Sequence, residues 1–140
     1  MVKKTITFLI FLLMVFSINV FAEVNFNLEI SGIEENNGKI HVKVFSNEKD
    51  YKNDNSYLYF ILESTSSRIT HNFIISEGEY LIVCFQDTNN NGVLDTNFLG
   101  IPKEPSAISN YTGGIPVGWK KHKLQINNNS NKILINLGRA

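Results

Sequence analysis

The residues best suited to chemistry fall in one run, Asp87-Thr88-Asn89-Asn90-Asn91-Gly92-Val93-Leu94-Asp95-Thr96-Asn97. Its opening, D-x-N-x-N-G, is the pattern by which a chain curls around a hard cation. Oxygen-bearing side chains stand at alternate positions, and glycine then makes the sharp turn. On that spacing Asp87, Asn89 and Asn91 offer side-chain oxygens, Val93 its backbone carbonyl, and Asp95 a direct or water-mediated contact. Leu94 should then turn inward and tie the loop to the core. The twelfth position, where a helix-flanked calcium loop carries a bidentate glutamate, is Phe98. Two carboxylates give a weak site unless Glu104 or Asn97 folds back to complete it. A weak site suits calcium outside the cell, where modules work at roughly 10⁻⁴ to 10⁻³ M. The same residues also satisfy an Asx-rich turn without an ion, their side chains bonding their own backbone while Gly92 supplies a positive φ. A third use, with Asp87, Asp95 and Glu104 as the acid and base of a glycoside hydrolase, fits the surrounding asparagines less well.

Other reactive types are scattered. His71 and His122 fall at inward parity on expected strands and His41 on the polar face, and nothing in the sequence brings them together as a metal or acid–base pair. Trp119, with Tyr111 nearby in a glycine-rich stretch, suits a lid over the end of the core better than an exposed platform for sugar or peptide. Cys84 is the only cysteine, so no internal disulfide forms; in the middle of an apolar run it reads as a small buried hydrophobe. The chain carries no G-x-S-x-G, H-E-x-x-H, P-loop or C-x-x-C pattern.

The elements that must position the loop are strands. Val24, Phe26, Leu28 and Ile30 alternate with polar residues, as do Ile40, Val42 and Val44, which is the period of a half-buried strand. Tyr57–Leu62 and Ile69–Ile75 continue the pattern after a polar loop from Asn47 to Ser56. Tyr80–Phe85 is apolar throughout and reads as a central strand. Two more strands, around His122–Ile126 and Lys132–Leu137, flank an asparagine-rich turn. Seven strands with no helical spacing over ten residues predict a single antiparallel β-sandwich, immunoglobulin-like or transthyretin-like, with a small barrel as the alternative.

The run from Gly78 to Asn110 resembles a bacterial family of small exported proteins, domain-of-unknown-function family 2141. The resemblance rests on a G-x-Y strand entry (Gly78, Tyr80), the D-x-N-x-N-G-x-L-D-x-N loop (Asp87–Asn97), a G-x-P-x-E segment (Gly100–Glu104) and S-N (Ser109-Asn110). It implies export and a sandwich fold, and brings no established activity. Glu77 stands where relatives commonly have proline, and Gly114–Trp119 where they often carry P-x-F.

The N-terminus is built like a secretory leader. Lys3 and Lys4 precede an uncharged apolar run from Phe8 to Phe16, and Val20-Phe21-Ala22 offers a peptidase site, so residues 1–22 are expected to be removed and residues 23–140 to form the one domain. No cysteine near the cut suggests a lipid anchor. With 13 basic and 13 acidic residues in the whole chain, and both leader lysines lost, the mature domain is slightly acidic. Nothing there favours nucleic acid or an anionic membrane. The expectation is a periplasmic or secreted module, non-catalytic, that binds a protein, peptide or saccharide partner and carries a calcium-stabilised loop.

Overall fold

The computed structural model describes residues 22–113 and 117–139. The expected leader, residues 1–22, lies outside them save for its last residue, as do residues 114–116, the first half of the Gly114–Trp119 stretch. The described residues form an all-β, two-sheet sandwich. In chain order the elements are β1 (Glu23–Ser31), β2 (Lys39–Phe45), α1 (Glu48–Lys52), β3 (Leu58–Glu63), β4 (Arg68–Ser76), β5 (Gly78–Asp87), β6 (Ser106–Ile108), α2 (Trp119–His122), β7 (Leu124–Ile126) and β8 (Lys132–Asn136).

One sheet has the order β4-β1-β8 and the other β3-β2-β5-β6, with β7 pairing the start of β5. Every pairing is antiparallel except β1 with β8. The alternation read from β1 holds: Val24, Phe26, Leu28 and Ile30 are buried, and they meet Ile40, Val42, Val44, Ile82 and Cys84 from the facing sheet. Burying one such side chain contributes about 1.5–3 kcal/mol, so this layer, not the loops, holds the sheets together. At one side Phe60 of β3 lies 5.0 Å from Phe73 of β4, ring centre to ring centre.

Two sequence expectations change. The strand expected around His122–Ile126 is cut short: His122 belongs to the one-turn helix α2, and only Leu124–Ile126 pairs. A further short strand, β6, arises from Ser106–Ile108, whose three residues are too few to show a period. The outer face of the larger sheet carries a second apolar cluster of Phe45, Leu81 and Trp119, with Tyr51 of α1 packed against it. Trp119 is thus a lid over that face rather than an exposed platform, while Tyr111 is exposed. Cys84 is fully buried, as its apolar surroundings suggest, and burial pushes its thiol well above the usual range.

Candidate functional site

Asp87 ends β5. The alternation of that strand puts Leu81, Val83, Phe85 and Asp87 on the outer face, and the pairing of β2 with β5 sets Lys39 opposite Asp87 and His41 opposite Phe85. Gly38, just before β2, makes this approach possible. It has φ +72°, and a Cβ there would lie 1.9 Å from the Asp87 carbonyl oxygen. Only glycine fits such a contact in such a conformation.

The Asp87 carboxylate is almost wholly buried, at 1% exposure, and acts as the hub of the following turn. Its Oδ1 accepts the Asn91 N–H at 3.1 Å and its Oδ2 the Gly92 N–H at 2.7 Å. Asn90 (φ +57°) and Gly92 (φ +81°) supply the left-handed residues that let the chain curl back. Two Asx turns overlap within the curl: Asn89 Oδ1 accepts the Asn91 N–H at 3.1 Å, and Asn91 Oδ1 accepts the Val93 N–H at 2.9 Å. The carboxamide nitrogens of the same two asparagines converge on one oxygen of Asp95, Asn89 Nδ2 donating at 2.6 Å and Asn91 Nδ2 at 3.0 Å to Oδ2. Asp87, Asn89, Asn91 and Asp95, the alternate positions read from the sequence, are therefore side by side.

Glu104 does fold back, and it is buried at 3% exposure. Its Oε1 accepts the N–H and the hydroxyl of Thr88, at 2.8 and 3.1 Å, and its Oε2 accepts the Asp95 N–H at 3.2 Å. One carboxylate thereby clamps both ends of the loop. The Lys103 N–H to the Asp95 carbonyl, 2.8 Å, adds a backbone tie. Val93 is 57% exposed, and Leu94 is half-buried and joins neither apolar cluster, so it anchors the loop less than its hydrophobicity suggests. Asn97 Oδ1 accepts the N–H groups of Leu99 and Ile101 instead of turning toward Asp95, and this small turn leaves Phe98 and Leu99 exposed at the tip.

His41 was missed as a neighbour of this site. It reads as a polar-face residue, yet it is buried. Its ring stacks on Phe85 with centres 4.7 Å apart, and its Nε2 lies 3.4 Å from Asp87 Oδ2. Its Nδ1 meets the Tyr59 hydroxyl. Burial lowers the His41 pKa more than the Asp87 carboxylate raises it, so the imidazole is held neutral. The acceptor-only Asp87 carboxylate beside Nε2 favours the tautomer with its ring proton there, which leaves Nδ1 to accept from the Tyr59 hydroxyl. The β2–β5 register brings His41 to Asp87 and Phe85, the β2–β3 register brings it to Tyr59, and no sequence signal gives either register.

The other histidines lie apart, His71 against Phe60 and Phe73 and His122 against Tyr111. Among the described residues, no three His, Cys, Asp or Glu side chains gather as metal ligands, so any cation site in the loop draws on its asparagine oxygens. The shared motif residues outside the loop are framework. The Tyr80 hydroxyl donates to the Ser76 carbonyl. Ser109 Oγ accepts the Ile82 N–H and donates to the His122 carbonyl, and Asn110 Nδ2 donates to the Lys123 carbonyl.

Compared with known proteins, residues 28–134 match the model of a family described as "Uncharacterized protein conserved in bacteria (DUF2141)". No curated protein and no solved structure matches the chain.

Proposed function

The chain belongs to this bacterial family, and from that premise we propose that it is an exported, non-catalytic binding or structural module whose Asp87–Asn97 loop takes up calcium. The observation that carries the reading is the convergence of Asn89 and Asn91 on the single Asp95 oxygen, beside the buried carboxylate of Asp87. Two amide N–H groups on one carboxylate oxygen do in part what a cation would do in full. A hard dication entering there would replace those donors and draw on the asparagine and aspartate oxygens instead. The Asx turns do not compete with that, because each side-chain oxygen has a second lone pair free when one is given to a backbone N–H.

The carboxylates support a binding role over a hydrolytic one. Glu104 and Asp87 are buried and held in place by backbone N–H groups, whereas an acid–base pair needs carboxyls that reach a substrate. Ion uptake stiffens the loop, and we assign the segment that follows, Pro102 to Trp119, of which residues 114–116 lie outside the described ones, as the contact surface for a protein, peptide or saccharide. Export rests on the leader; among the described residues no helix is long and apolar enough to cross a membrane. Calorimetric titration with calcium tests the site. A dissociation constant of roughly 10⁻⁴ to 10⁻³ M, lost in Asp95→Ala, is the expected result. Heat no greater than that of dilution leaves the loop as an Asx turn alone.

A further inference from the structure

A groove of about 330 Å³ opens between β6 and β8, lined by Ala107, Ile108, Tyr111, Ile133, Leu134 and Ile135 among others. Its walls are two strand edges, and the hydrogen-bond pattern shows which backbone groups face it. In the parallel ladder with β1, the Asn27 N–H donates to the Asn131 carbonyl and the Leu137 N–H to the Ser31 carbonyl. The odd-numbered residues of β8 therefore point at β1, and Lys132, Leu134 and Asn136 turn their N–H and C=O groups the other way.

On β6 the Gln86 N–H donates to the Pro105 carbonyl and the Ser109 N–H to the Ile82 carbonyl. Residues 105, 107 and 109 thus face β5, and Ser106 and Ile108 face outward. Ser106 exchanges both bonds with Gly138, at 2.9 and 3.3 Å, so the two edges are zipped at that one point. Beyond it no backbone partner meets Ile108, Leu134 or Asn136 among the described residues. The strand count agrees. The β4-β1-β8 sheet has one strand fewer than the β3-β2-β5-β6 path, and β3 already packs on β4 at the opposite side.

We infer that this groove is a binding site for one extended peptide segment of a partner protein, which enters as a strand between β8 and β6. Its backbone pairs with the free groups of Leu134 and Asn136 on one side and Ile108 on the other. Its apolar side chains, at alternate positions, cover Ala107 and the half-buried Ile133. A second folded copy does not fit, because a strand flanked by β8 and β6 has no edge left for the rest of a sheet. The partner is thus a terminus or linker with apolar residues at every second position.

The test uses a peptide of about seven residues that alternates valine with threonine between terminal lysines. It is added to roughly millimolar concentration while backbone amide resonances of the protein are followed. Because recognition runs through the backbone, this generic strand is expected to shift and protect the amides of Ile108, Leu134 and Asn136 before any others. Leu134→Pro removes an outward N–H and leaves the β1 ladder intact, so it should abolish the shifts while the remaining spectrum stays folded. The wild-type shift map stands alone as evidence if that variant fails to fold. No shift, or shifts spread over other edges, overturns the proposal. Protection of the same amides that grows with protein concentration and no peptide overturns it in favour of self-association.

Discussion

Asp87 ends a strand, fixes the turn that follows, and stands at the first position of the proposed calcium loop. Its pattern was legible because alternate oxygens and a glycine are a local signal, and the same is true of the curl through Asn90 and Gly92. The residues that hold Asp87 were not legible, since they arrive through strand pairing. Gly38 is the clearest case. Gly38→Ala sets a Cβ against the Asp87 carbonyl in a left-handed conformation, and is expected to cost about 3 kcal/mol in urea unfolding. A change within experimental error would contradict the close approach. Glu104 reads from the sequence as a supplementary ligand, and in the structure its oxygens accept the Thr88 and Asp95 N–H groups. Glu104→Gln keeps the shape but replaces a charged acceptor by a neutral one. It should destabilise by about 1–3 kcal/mol even with no calcium present, whereas a ligand-only role predicts no loss in chelator.

At the scale of elements, strands β1, β2 and β5 were readable from period and composition, while β6 and α2 were not. Three residues of β6 carry no period, and the turn of helix at Trp119–His122 forms because Trp119 caps the Phe45–Leu81 cluster. β4 was readable too, and its inward His71 has a measurable consequence. Burial against Phe60 and Phe73 lowers the His71 pKa from its ordinary 6.5, and its Nε2 meets no hydrogen-bond partner among the described residues. Between the depressed folded value and 6.5 the unfolded chain binds the extra proton. Stability therefore rises with pH across that window and is lost as pH falls through it. His71→Phe should flatten the slope of unfolding free energy against pH below 6.5. An unchanged slope would assign the acid sensitivity elsewhere.

For the whole molecule, fold class and family were within reach of the sequence, because alternation specifies a sandwich and the Gly78–Asn110 motifs specify relatives. The pairing order was not, and it decides both that His41 reaches Asp87 and that β6 and β8 part after Ser106. The two ends of the account are separable: the loop after β5 is tied to the larger sheet, and the groove lies along the edges of both. Its central claim is that the loop binds calcium in the folded state only. A ligand at a hundredfold its dissociation constant adds about 2.7 kcal/mol, so even a weak site should raise the melting temperature by several degrees. The most direct measurement is thermal unfolding of the protein in excess calcium, against the same protein in chelator, with Asp87→Ala alongside. The account requires a rise with calcium that Asp87→Ala removes; equal melting temperatures in calcium and chelator would contradict it.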